Sequence, residues 1–141
     1  GLEVPLVVAG WQGWTPKESW DNVFFLGYVS DEELAWLYSG ATALVFPSSY
    51  EGFGLPVLEA MACGCPVVTT REASLPEVGG ESALYIKRPR DEDDLGRVLT
   101  DLAGNEPLRR KMAHKGRRQA EKFSWNDAAD KTFEVFRRLL M

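Results

Sequence analysis

An α/β protein, with a parallel sheet and helices on both of its faces, is predicted by three features of the sequence. Short apolar runs bounded by Gly or Pro alternate with longer amphipathic stretches. The runs are apolar nearly throughout instead of alternating with polar residues, as strands covered on both faces require. The last third of the chain carries helical spacing alone.

The elements follow in order. Leu6 to Ala9 and Val23 to Leu26 read as the first two strands. Asp31 to Tyr38 has acidic residues in its opening turn and apolar residues at helical spacing, a helix capped by Ser30 or Asp31 with Trp36 in the core. Ala43 to Phe46 is a third strand, with Phe46 also directed to the core. Pro56 suits the first position of a short helix through Ala62, which Gly64 ends with Pro66 beyond; it is mostly apolar, so it is expected to be buried. Val67 to Thr69 and Ala83 to Ile86 are the remaining strands. Asp91 to Ala103, Pro107 to Lys122 and Asn126 to Leu140 then form a helical cover. Trp11, Trp14 and Trp20 cluster near Gly10 and Gly13, and packing over the sheet edge accounts for them best.

A chain of 141 residues is one domain, residues 1 to 141, with 45% hydrophobic and 26% charged residues, an ordinary globular balance. A net charge of -5 argues against a nucleic-acid partner. No apolar run approaches the roughly 18 residues that span a bilayer, and no export signal is visible, so a cytoplasmic location is expected. The chain opens with Gly1, not Met, and a piece of something longer is expected. Cys63 and Cys65 are too close for an unstrained disulfide and too few for a metal framework, so they read as reduced thiols. Before Arg71 there is one cation, Lys17, against eight carboxylates; the second half carries +2. Its basic helix, around Arg109, Arg110, Lys111, Lys115, Arg117 and Arg118, reads as a solvated face, with peripheral contact to an anionic membrane the lesser alternative. His114, the one histidine, lies among these cations and has no partners for a catalytic set.

Chemistry concentrates in Phe46 to Gly64: strand, glycine-bearing loop, buried helix. In open α/β sheets ligands sit beyond the carboxyl ends of strands, and the loop feeding a helix offers free N–H groups to an anion. Gly52 and Gly54 lack a Cβ and let the backbone turn sharply and approach a ligand. Glu51 and Glu59, eight residues apart, suit a ligand with hydroxyls, because an ionised carboxylate accepts several hydrogen bonds. Hydroxyls beside phosphate describe a nucleotide sugar. Against this, Glu59 could serve the helix dipole, Glu51 could be a solvated loop residue, and a lone Gly-x-Gly is common in turns.

The whole string resembles the Glu-x7-Glu signature of the retaining family 4 (group 1) glycosyltransferases, enzymes of GT-B architecture. Phe25 to Ser30, Ala43 to Ser48, Glu51 to Val68, Ser74 to Val78 and Phe123 to Trp125 follow that family's order. The resemblance implies a C-terminal, donor-binding lobe of Rossmann-like topology, opposite an N-terminal acceptor lobe. It implies that Glu51 contacts hydroxyls of the transferred sugar, and is the catalytic candidate. Glu59 contacts the ribose; Gly52 and the amides of Phe53, Gly54 and Leu55 meet sugar and diphosphate; Tyr28, Val29 and Ser30 lie along the nucleobase. The donor would be a UDP-sugar or GDP-sugar, used without metal or other cofactor. The family's first strand of this lobe, ending in Gly-Arg, and a following Lys-bearing helix have no counterpart before Leu6; that strand lies mid-sheet, so the isolated chain is expected to fold poorly or to associate, and not to turn over alone. A non-enzymatic nucleotide-sugar binding module is the alternative. A dinucleotide oxidoreductase is disfavoured by the lack of Gly-x-Gly-x-x-Gly after the first strand, and a glycoside hydrolase by the phosphate-type loop between the two glutamates.

Overall fold

The computed structural model describes residues 4–10 and 20–140. The described elements run β1 (Leu6–Ala9), β2 (Val23–Gly27), α1 (Asp31–Gly40), β3 (Leu44–Phe46), α2 (Leu55–Ala62), β4 (Val67–Thr70), α3 (Leu75–Gly79), a 3-10 turn (Gly80–Ser82), β5 (Leu84–Ile86), α4 (Glu92–Gly104), α5 (Glu106–Ala120) and α6 (Trp125–Leu139). All strand pairing among the described residues is parallel, so the predicted α/β class holds. The predicted single sheet does not: β1 pairs with β2, and β3, β4 and β5 form a separate ladder in that order. Among the described residues β1, β2, β3 and β5 are each paired on one side only, which leaves each with a free edge.

The three-stranded sheet organises the core. Val67 of β4 joins one apolar cluster with Tyr38, Val57, Ala60, Met61, Leu75 and Val78. Val68, its neighbour, faces the other way, into a cluster with Ile86, Val98 and Leu102. Successive strand residues point to opposite faces, so this split means helices cover both sides: α1, α2 and α3 on one, α4 on the other. Every residue of β4 is buried. α5 lies across α2 through Gly116, where an added Cβ would come within 3.2 Å of the Met61 side chain.

Local chemistry explains the helix ends. Ser30, not Asp31, caps α1: its hydroxyl accepts from the Glu33 N–H while the Glu33 carboxylate accepts from the Ser30 N–H, a reciprocal capping box. α2 ends in a Schellman turn, with the Cys65 N–H donating to the Ala60 carbonyl and the Gly64 N–H to that of Met61. Gly64 takes φ +75°, which that turn requires.

Three expectations about burial are corrected. β1 is exposed along its length, and Phe24 and Leu26 of β2 are exposed as well, because no described element covers this two-stranded ribbon. Trp36 is 65% exposed. It sits two residues from both Leu34 and Tyr38, which pack toward α2, and two residues of helix turn a side chain about 200° away. α6 buries none of its residues and leaves Trp125, Phe133, Phe136 and Leu139 exposed, so the helical cover consists of α4 and α5. Trp11 and Trp14 lie outside the described residues; the Trp20 ring stands 6.2 Å from that of Phe25 in β2. No described helix is long and apolar enough to cross a membrane.

Candidate functional site

The site is built where β3 and β4 deliver their carboxyl ends side by side. β3 ends at Phe46 and the chain runs through Pro47 to Gly54 before α2; β4 ends at Thr70 and turns through Ala73 into α3. Four hydroxyls from these segments hold the first loop. Thr69 Oγ1 donates to the Phe46 carbonyl at 2.8 Å and Thr70 Oγ1 to the Ser48 carbonyl at 2.6 Å. Ser74 Oγ stands 2.9 Å from the Phe53 carbonyl and 3.1 Å from that of Glu51. Ser48 Oγ reaches the Glu51 Oε1 atom at 2.9 Å. Buried hydroxyls need partners, and those of Thr69 and Thr70 find them in backbone carbonyls at the end of β3 and just beyond it.

Gly54 is the pivot. It caps α2 at φ +99°, ψ +44°, and an added Cβ would meet Leu75 Cδ2 at 3.0 Å, so both conformation and space demand glycine. Gly52 differs: its φ is not positive and a Cβ there would meet nothing within 4 Å, so the fold itself does not require it. The N–H groups of Phe53, Gly54 and Leu55 make no hydrogen bond among the described residues. They stand at the start of α2, where such donors suit an anion. The ring of Phe53 packs edge-on against Phe123, at 5.9 Å between centroids, which ties the loop to the segment between α5 and α6.

The two glutamates are held from different sides. Glu51 is half-buried and bound by Ser48. Glu59 is exposed on the fifth residue of α2, past the first turn, where a helix dipole does little for it. Tyr38 of α1 points its hydroxyl at Glu59 Oε2 across 3.5 Å, the outer limit of a hydrogen bond. Burial, and then the charge of Glu59, push the Tyr38 phenol up to about 12, so it stays a neutral donor.

No hydrogen bond among the described residues joins Tyr28, Val29 and Ser30 to residues 48–59, and the side chain of Ser30 caps α1. Ser30 lies eight residues, about 12 Å of helix rise, from the Tyr38 that touches Glu59. Tyr28 is 88% exposed. His114 is exposed, and Glu77 is exposed in the first turn of α3, as expected of a dipole partner. Arg71 stacks 4.1 Å above the Tyr85 ring. Ser48, Thr70, Ser74 and Tyr38 carry roles that no motif assigned. Two polar residues closing the apolar run of β4 were the available signal, since such hydroxyls must find acceptors.

Comparison with known proteins shows the family and the fold. The model of the family described as glycosyl transferases group 1 matches residues 4–119. The chain is 37% identical over 147 aligned residues to O-antigen chain mannosyltransferase B of Escherichia coli, covering 98% of this chain and 38% of that protein. Its fold is similar to sucrose-phosphate synthase from Thermosynechococcus elongatus, with a TM-score of 0.76 and 32% identity over 85% of this chain and 31% of that one. TarM of S. aureus, solved with fondaparinux, alpha-GlcNAc-glycerol and UDP, superposes with a TM-score of 0.70 and 26% identity over 82% of this chain and 24% of that one. The chain thus spans under two-fifths of the length of each of these proteins. The fold is that of GT-B glycosyltransferase structures, and the chain belongs to the glycosyl transferases group 1 family.

Proposed function

We propose that this chain binds the donor, a nucleoside-diphosphate hexose, in a glycosyltransferase whose acceptor is held by another, N-terminal lobe. The observation that carries the reading is the loop from Ser48 to Leu55: three unbonded amides at the start of a buried helix beside a half-buried carboxylate. Amides suit a diphosphate, and Glu51 suits sugar hydroxyls. Glu59, beyond the reach of the helix dipole and facing solvent, takes the ribose hydroxyls, with Tyr38 beside it. Tyr28, Val29 and Ser30 border the base. The kinship to a mannosyltransferase and to a protein that binds UDP supports hexosyl transfer from GDP- or UDP-sugars, with mannose the first sugar to try.

The chemistry proposed is transfer with retention and without a metal. The bond from the anomeric carbon to the diphosphate oxygen breaks, and the acceptor oxygen bonds to that carbon on the same face. The acceptor proton passes to the departing diphosphate. The chain's own contribution is to bind and orient: amides of Phe53, Gly54 and Leu55 stabilise charge developing on the leaving group, which a preorganised site does without reorganisation. The test is donor turnover by the full gene product in the presence of chelator, with the anomeric configuration of the product read by NMR. Release of GDP or UDP that survives chelation and gives a retained anomer supports the reading. Tight nucleotide-sugar binding with no turnover on any hexosyl acceptor favours the non-enzymatic module instead.

A further inference from the structure

We infer that Ser48 is the positioning residue that aims the Glu51 carboxylate at the sugar of a bound nucleotide sugar, an inference that rests on Glu51 contacting that sugar. Ser48 Oγ lies 2.9 Å from Glu51 Oε1 and 3.0 Å from the Tyr50 carbonyl. A hydroxyl has one proton to give, and an ionised carboxylate is the stronger acceptor, so the bond to Glu51 dominates. Among the described residues no other hydrogen bond reaches this carboxylate. One oxygen is therefore engaged and the other is left with its lone pairs for ligand hydroxyls.

Ser48 is itself fixed from the sheet. Its carbonyl accepts the 2.6 Å bond from Thr70, whose side chain is buried at the end of β4. A relay of two hydrogen bonds thus runs from β4 through Ser48 to Glu51. Without it, a glutamate with three rotatable bonds must be ordered by the ligand, and that cost falls on sugar binding. The nucleotide, held by the α2 amides and Glu59, does not sense it. Selective loss of sugar recognition is the signature of this role, and general loss the signature of a merely structural one.

The experiment measures, by calorimetry on the full gene product, the affinity of GDP and UDP and of their mannose and glucose conjugates. A reversibly unfolded fraction weakens conjugate and free nucleotide by the same factor, so the ratio of their affinities stays readable in a partly unfolded variant. Ser48→Ala is expected to weaken the conjugate about tenfold and the free nucleotide less than about twofold, as the loss of one charge-assisted contact implies. Ser48→Thr, which keeps the hydroxyl, restores the conjugate. Thr70→Val, which leaves Ser48 intact, weakens the conjugate in the same direction by about threefold. Equal losses for conjugate and nucleotide, or none for either, would overturn the role of Ser48. Glu51→Ala separates the underlying reading: if it leaves the conjugate's affinity unchanged, Glu51 does not contact the sugar and both claims fall.

Discussion

The hydroxyl of Ser74 stands 2.9 Å from the carbonyl oxygen of Phe53 and so ties the loop before α2 to the turn after β4. Ala73, just before it, is held at φ +48°, a left-handed conformation that costs an L-residue about 1–2 kcal/mol. One strained residue thus directs a hydroxyl to two carbonyls flanking Gly52. Such strain persists where surrounding structure enforces it, and here it serves the loop that carries the candidate site.

Ser74→Ala is expected to cost about 1 kcal/mol of stability, the net worth of a hydrogen bond to a loop carbonyl. Ala73→Gly should relieve the strain and raise stability by about 0.5–1 kcal/mol. Chemical denaturation of the two variants checks both signs; a less stable Ala73→Gly protein would show that the turn is not strained.

The two glycines of the loop are expected to part company. Gly54→Ala meets both a forbidden φ and Leu75, and should cost about 1–3 kcal/mol. Gly52→Ala meets open space and should change stability by less than about 0.5 kcal/mol. If Gly52 is needed for close approach of the donor, the same substitution weakens nucleotide-sugar binding in a fully stable protein. Parallel melting and binding curves on the two variants distinguish a fold requirement from a ligand requirement.

Asp94 anchors the opening of α4: its carboxylate accepts from Arg97 at 2.6 Å and from the Lys87 N–H at 2.9 Å. The bond to Arg97, and then that to Lys87, hold it below the usual carboxylate range. A depressed carboxylate stabilises the fold in full above its unfolded value near pH ~4, and that stability is lost as pH falls through the lower folded value. Asp94→Asn should therefore be less stable than the parent at pH 7, with the difference shrinking below pH ~4. A difference that stays constant between pH 7 and pH ~2.5 would contradict this.

Burial pushes the Cys65 thiol up to about 11, and its side chain is 1% exposed, whereas Cys63 is half-buried. At pH 8 a disulfide reagent should label Cys63 in the native protein and Cys65 only as fast as the protein opens. Two thiols reacting together in the absence of denaturant would show that the α2–β4 turn is not packed as described.

The bounds of elements were legible whether exposed or packed: β1, β2, α1 and α6, like β3, β4, β5, α2, α4 and α5, were readable to within two residues from their apolar pattern. Burial was legible only around the three-stranded sheet, where apolar pattern and environment coincide. The runs of β1 and β2 have the same composition without the environment: Leu6, Val7 and Phe24 are exposed, since an apolar run states a preference and not what lies opposite. Trp36 misled for the same reason, being judged by residue type when its place on α1, opposite Leu34 and Tyr38, decides its exposure. In the site, Glu51, Gly54 and Glu59 stood out by spacing. Ser48, Thr70 and Ser74 did not, because a hydroxyl that satisfies a loop carbonyl has no sequence period and acquires its role only when β4 is laid beside β3.

Calorimetric titration of GDP and UDP into the folded gene product, with Glu59→Ala alongside, tests the central claim most directly. The account predicts saturable, one-site binding of one of the two nucleotides, unaffected by chelator and weakened about tenfold or more by Glu59→Ala, as loss of a carboxylate gripping ribose hydroxyls implies. A folded protein that binds neither nucleotide, or binds one equally well without Glu59, would contradict it.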